Sequence, residues 1–300
     1  MIFEPCPESS IVLCPDIAAD RSRSADGWKA RLDLAIARRG ERSVATRRRH
    51  RGPVYVQRLL YPERDGTAHV MLLHPPGGVV QGDEIDFDIQ LESRAQALIT
   101  TPSAAKLYRA PARASRQGVC LSVGAGARLE WLPQETIVFD GTQALTSLDL
   151  DLASDARAIA WDIWTLGRPA AHEAFDSGHY DGRWCVRVGN RLRWHERTVV
   201  PGASQSPFQN APWGLNGARA VGTLVAYQPE GFDATTTNEL RRRLAEYRIG
   251  SGVSVVDGLL LVRVTGREAR LLHTPLRRLW ESLRPSILDK PAVAPRIWAT

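Results

Sequence analysis

Two stretches of the chain gather residue types able to do chemistry. The first, "AHEAFDSGHYDG" (171–182), carries His172, Glu173, Asp176, His179 and Asp181. Imidazole and carboxylate at this density can ligate zinc or nickel, and a metal-dependent hydrolase would need such a set. The stretch also follows "LGRP" and is rich in turn formers, so an exposed loop of solvated polar groups is the competing reading. The second, "LLHPPGGVVQGDEIDFDI" (72–89), combines turn chemistry with acids. Pro75 and Pro76 fix φ twice, and Gly77 and Gly78 permit a positive φ, which predicts a sharp turn after a strand ending at His74. Gly82-Asp83 predicts a second turn. Alternation then places Ile85, Phe87 and Ile89 on one strand face and Glu84, Asp86 and Asp88 on the other. That acid face is either a solvated strand surface or a carboxylate-lined wall along which a hard, hydrated cation can pass.

Several enzymatic signatures are absent. No GxxxxGK[ST], HExxH or GxSxG occurs, and "GAGARL" lacks the third glycine of a dinucleotide loop. Net charge is +6, yet only three of the 39 basic residues are lysine. The dense run "ARRGERSVATRRRHRGP" (37–53) holds Arg47, Arg48, Arg49 and Arg51 without interleaved aromatics for base stacking. It is expected to be a solvated strand face or a protein-docking surface, not a nucleic-acid arm. Cys6, Cys14, Cys120 and Cys185 show no metal-finger spacing, which fits reduced thiols in the cytoplasm. No secretion signal is read at the start, and no apolar run is long enough to span a membrane.

The elements that must position these residues are mostly strands. Residues 1–27 read as a poorly ordered leader. "ARLDLAIARRG" then alternates Leu32, Leu34 and Ile36 before Gly40, and "GPVYVQRLLYP" and "AHVMLLHPP" are short β-rich runs. Three segments resemble one another: "IQLESRAQALI" (89–99), "LSVGAGARLEW" (121–131) and "LDLASDARAIA" (150–160). Each joins two alternating runs through a polar or glycine break and a fixed alanine: Ala95, Ala127 or Ala156. Such a repeat predicts strand–turn–strand units stacked into layers around a shared core. The fold expected is mainly β, with sandwich- or solenoid-like stacked sheets. A small α+β C-terminal part (about 211–300) should continue the β-rich body (about 28–210) as one domain with two short helices. One helix is expected in "TNELRRRLAEYRIG", with a capping box of Thr236 and Glu239; the other in "TPLRRLWESLRP", with Thr274 as N-cap, Pro275 at its first position and Pro285 beyond its end. "SVVDGLLLVRV" reads as a hairpin around Asp257-Gly258.

From 28 to 300 the chain resembles the UreD (UreH) family of urease accessory proteins. The resemblance rests on "LLHPPGGVVQGDEIDFDI…ALITTPSAAKLYR" (72–109), "GPVYVQRLLYPE" (52–63), "ARLEWLPQETIVFDG" (127–141), "AWDIWTLGRPAAHEAF" (160–175), "WHERTVV" (194–200) and "PRIWAT" (295–300). It implies a non-enzymatic maturation scaffold that binds the urease apoprotein and UreF, reaches UreG through UreF, and guides Ni²⁺ toward the urease active site. It also implies a mostly β fold with an internal wet passage, and nickel held transiently with no tightly bound cofactor. By motif position the passage candidates are Asp83, Glu84, Asp162 and Glu196, then Glu130, Glu135 and Glu173. Pro75, Pro76, Gly77, Gly78 and Gly82 shape the turns. Lys106, in the TPxAxKxYR pattern, is expected in a structural ion pair. The chain departs from the family pattern at Gln81 (usually Gly), Ala105 (usually Thr or Ser) and His172 (commonly Gly).

Overall fold

The structure is a computed structural model that describes residues 27–299. The expected leader, apart from Gly27, lies outside the described residues, as do Cys6 and Cys14.

The repeated break-and-alanine pattern is where the chain crosses from one sheet to the other. Ala95, Ala127 and Ala156 are fully buried, and successive crossings stack through their backbones. Gly124 N–H donates to Leu91 O (2.8 Å) and Ala153 N–H to Val123 O (2.9 Å), and the hairpin at Gly189 caps the stack, with Gly189 N–H donating to Leu152 O (2.8 Å). On the far side of each turn, Arg128 N–H donates to Ala95 O (2.9 Å) and Arg157 N–H to Ala127 O (3.0 Å). A methyl group fits between turns joined this closely; a larger side chain would drive them apart.

The first strands are β1 (Lys29–Arg39), β2 (Arg42–Arg51), β3 (Tyr55–Val56), β4 (Ala68–Leu73), β5 (Glu84–Leu91) and β6 (Gln96–Thr100). β7 (Ala105–Leu107), β8 (Ser115–Val123), β9 (Arg128–Trp131), β10 (Thr136–Val138), β11 (Gln143–Leu152) and β12 (Arg157–Leu166) follow. The remainder are β13 (His179–Val188), β14 (Arg191–Pro201), β15 (Ala220–Tyr227), β16 (Gly250–Val256) and β17 (Leu259–Gly266). The seven-stranded sheet has the order β14-β13-β11-β8-β5-β1-β2. Strands β1, β5, β8, β11 and β13 run parallel within it, and antiparallel β2 and β14 close its edges. The ten-stranded sheet runs β16-β17-β15-β12-β9-β6-β4-β3, with β10 beside β12 and β7 beside β10. The pairs β5–β6, β8–β9 and β11–β12 are the repeat, so the stacked, solenoid-like β architecture holds.

One core lies between the sheets, built from Leu32, Leu34 and Ile36 of β1 and their counterparts on later strands. A second lies between the other face of the ten-stranded sheet and two helices, α1 (Ala234–Leu244) and α2 (Arg270–Leu288). β15 and β17 pair antiparallel beyond β12, so the C-terminal strands extend the same sheet. Asp257 (φ 44°) and Gly258 (φ 82°) form the tight β16–β17 turn.

Both helices differ from their expected limits. The N-cap of α1 is Asp233, whose carboxylate accepts the Thr236 N–H at 2.7 Å, rather than Thr236 itself. α2 is not short: its 19 residues contain Pro275 and Pro285. Each interior proline costs about 3 kcal/mol. Leu272, Leu276, Leu279, Trp280, Leu283 and Ile287 are buried along one side of α2, at about 1.5–3 kcal/mol apiece. Burial outweighs the two prolines, and the helix runs through them. The arginine run forms edge strand β2, whose Arg47, Arg48, Arg49 and Arg51 are exposed.

Candidate functional site

A cavity of about 310 Å³ opens between the two sheets. Its walls come from β5, β8 and β11 on one side and from β12 and the 101–106 and 131–136 segments on the other. The "HPPGG" turn closes one side, with Gly77 N–H donating to His74 O at 2.9 Å. Gly77 takes φ 73°, which few other residues adopt without strain. Gly78 has a different reason to be glycine: a Cβ there would sit 2.1 Å from the Tyr108 ring.

The acid of this cavity is Asp162. On β12, Ala158, Ala160 and Trp164 belong to the intersheet core while Ile159, Trp161 and Ile163 belong to the core under the helices. Alternation therefore turns Asp162 inward, and it lines the cavity. Burial pushes its carboxyl up to about 6; the Arg263 guanidinium and a hydrogen bond from Ile163 N–H oppose this only in part. Arg263 reaches this row by register, since Asp162 lies beside Thr223 of β15 and Thr223 beside Arg263 of β17. The Arg263 Nη2 then donates to Glu196 Oε1 (2.5 Å) and Oε2 (2.6 Å) on β14. Two candidates, Asp162 and Glu196, are thus brought into one polar row that crosses between the sheets.

Other polar groups share the cavity. The Tyr180 hydroxyl lies 3.0 Å from Thr146 Oγ1, and burial raises its phenol far above the ordinary value. Burial lowers the His74 imidazole, with Asp83 pulling weakly upward. Lys106 lines the cavity and makes no ion pair among the described residues, unlike the structural pairing expected for it.

The remaining candidates lie elsewhere. Asp83 pins two segments: Oδ1 accepts Trp28 N–H (2.8 Å) and Oδ2 accepts Val80 N–H (2.9 Å). Glu84, Asp86 and Asp88 lie on the outer face of the seven-stranded sheet, beside Lys29 (3.7 Å), Arg116 (3.6 Å) and Arg31 (2.9 Å) respectively. Glu130 is buried against α2, taking hydrogen bonds from Trp280 Nε1 (2.6 Å) and Arg284 Nε (2.8 Å). Glu135 meets His273 of α2 at 2.8 Å. Burial favours its neutral form, yet His273 and Arg277 hold its carboxyl below the usual range. Glu173 pairs with Arg168 and accepts the Asp140 N–H at 3.2 Å.

The "AHEAFDSGHYDG" segment does not assemble a metal site. His172 is exposed with φ 56°, Glu173 is held by Arg168, and Asp181 receives Arg197 at 2.7 Å. Among the described residues no three His, Cys, Asp or Glu groups converge as a ligand set, so the hydrolase reading has no centre there. Sequence reasoning missed Arg263, Thr146 and Tyr180. Arg263 carried a signal, as the one charge within "LLLVRV"; Thr146 and Tyr180 carried none.

The family described as "UreD urease accessory protein" matches residues 29–299. "Urease accessory protein UreD" of Dechloromonas aromatica is 41% identical over 275 residues, covering 91% of this chain and 95% of that protein. The protein of the same name from Nitrosococcus oceani is 41% identical over 273 residues, covering 91% and 90%. That of Pseudomonas paraeruginosa is 42% identical over 273 residues, covering 91% and 95%. The chain belongs to the UreD family of urease accessory proteins.

Proposed function

We propose that this chain is a cytoplasmic, non-enzymatic scaffold of urease maturation. In this reading it binds the urease apoprotein and UreF, reaches UreG through UreF, and passes Ni²⁺ toward the urease active site through the intersheet cavity. The relatives' names support the urease connection. The observation that carries the nickel reading is Asp162, an inward carboxylate in the intersheet cavity, under the charge of Arg263, which in turn pairs with Glu196.

The chemistry suits transit better than storage. Nickel stands high in the affinity order, so several imidazoles or thiolates would trap it. This cavity offers one carboxylate, hydroxyl and carbonyl oxygens, and the single imidazole of His74. Cys120 and Cys185, both free thiols, do not line it. Lys106 at the wall would shorten the stay of a dication further. Asp162 gives enough charge to draw Ni²⁺ out of bulk water, and too few partners surround it to complete a coordination shell.

The test is urease activity and nickel content in cells carrying the urease operon, with pull-downs of UreF and apo-urease run in parallel. Asp162→Asn and Glu196→Gln are expected to lose activity and nickel while the complexes persist. Glu84→Gln, altered on the outer sheet face, should behave as wild type. Full activity in Asp162→Asn and Glu196→Gln would leave a docking scaffold without a carboxylate route.

A further inference from the structure

We infer that a second cavity, on the outer face of the seven-stranded sheet, binds a small inorganic oxyanion. The cavity holds about 190 Å³ and is lined by Arg116, Ser147, Asp181, Arg183, His195 and Arg197, among others. Register builds it. Gly118, Ser147, Arg183 and Arg197 lie in one row across β8, β11, β13 and β14. Arg116, Leu145 and Asp181 form the row before it, and His195 stands in the row after. Small residues at the centre of the row leave space, and long cationic side chains surround it.

The charge balance calls for an anion. Arg197 is matched by Asp181 at 2.7 Å and Arg116 by Asp86 at 3.6 Å. Arg183 has no ion pair among the described residues; Asp149, one row along, feels its charge, but less than it feels burial and Arg187. His195 likewise has no carboxylate partner among them. The Nε of Arg116 is buried without a hydrogen-bond acceptor, so Asp86 alone does not satisfy this guanidinium, whose residue lines the cavity. Guanidinium forks with flanking hydroxyls match the oxygen edges of phosphate or bicarbonate. The volume is below the range of about 300–1,000 Å³ common for larger organic ligands, which favours a small ion.

Gly118 helps hold this arrangement open. A Cβ at that position would come within 2.8 Å of Asp86 Oδ1 and 3.6 Å of Arg116 Nη2, displacing the pair that orients Arg116. The cavity shares Thr146, Ser147 and Arg183 with the intersheet cavity. An anion bound outside would therefore offset positive charge that also borders the inner space. The binding itself does not rest on the nickel reading, because it is measured without metal.

The experiment is calorimetric titration of the purified full chain with inorganic phosphate, bicarbonate and acetate separately, at ionic strength fixed with sodium chloride. Phosphate or bicarbonate should saturate one site, and which of them binds tighter identifies the ion. Arg183→Gln and Ser147→Val should each weaken that binding at least about tenfold, while Arg48→Gln on exposed β2 should leave it unchanged. Melting curves of the variants confirm that the chain still folds. Unsaturable heats, or binding retained in either Arg183→Gln or Ser147→Val, would overturn the proposal. Saturation by acetate alone would also overturn it and assign the cavity to a carboxylate side chain of a partner.

Discussion

Asp162 shows how one inward carboxylate can be tested for function apart from structure. Its folded value of about 6 lies above the ordinary aspartate value of 3.8, so the folded chain holds this proton more tightly than the unfolded chain does. Stability attributable to the group is therefore greatest below pH 4 and falls as pH rises through 4 to 6. Above pH 6 the ionised, desolvated carboxylate costs the fold at most about 3 kcal/mol. Asp162→Asn removes that cost, so urea unfolding at pH 8 should give a higher midpoint for the variant than for wild type. Near pH 4 the advantage should vanish. If the carboxylate serves nickel, the same variant should activate urease poorly, giving a more stable protein that works less well. Lower stability at pH 8 would mean instead that Arg263 and the backbone already compensate the charge, and that Asp162 is a structural anchor. The ionised form is the one that attracts a dication, so if the cavity carries nickel, urease activation should weaken as pH falls below 6.

Among the elements, α2 is held by charge as well as by its apolar side. Arg284 is fully buried and donates from Nη2 to Glu130 Oε2 (2.9 Å) and to Glu63 Oε1 (2.6 Å), while His69 Nε2 lies 2.7 Å from Glu63 Oε1. Burial favours a neutral Glu63, and His69 and Arg284 overcome it to keep its carboxyl below the usual range. Arg284→Met would leave buried Glu130 without its cation and Glu63 with only His69 and the more distant Lys290 (4.0 Å), and denaturant unfolding should show a loss of about 3–5 kcal/mol. Glu135→Gln at the half-buried contact with His273 should cost only about 1 kcal/mol. A loss near 1 kcal/mol for Arg284→Met would show that the cluster relaxes or admits water. The network also explains what was legible in the sequence. Strand alternation in β1 and β5 and the spacing of Ala95, Ala127 and Ala156 are local signals, and they appear as written. The limits of α2 are not local: Pro275 and Pro285 read as boundaries until the sheet beneath supplies the burial that overrides them. Glu130 and Glu135 stood out as acids, but only the docking of α2, distant in sequence, determines what they touch.

At the scale of the whole molecule, stacking parallel strands has a consequence for transport. Each crossing turn is sealed by the next, so the sides of the solenoid are closed and the interior is reached where loops replace strands. The 101–104 segment lies at such a place, with Thr101, Pro102, Ser103 and Ala104 on the wall of the intersheet cavity. Asp162 and Glu196 were singled out as candidates by motif position, but their shared polar row depended on Thr223 and Arg263 arriving on antiparallel strands later in the chain. No pattern within "AWD" or "WHER" could announce that. Ala104 gives a way to obstruct the interior without touching this polar row, since it is half-buried in a loop rather than in a strand. Ala104→Trp would place a large ring in or across the cavity while the sheet hydrogen bonds stay in place. If nickel travels through the interior, pull-downs should recover UreF and apo-urease as for wild type, while the nickel content of urease falls several-fold. Raising nickel in the medium should restore little of it, because the obstruction is steric and not a loss of affinity. Normal nickel content in Ala104→Trp, with the ring shown by fluorescence to be shielded from an aqueous quencher, would move the route to another surface and leave the cavity as a packing defect between the sheets.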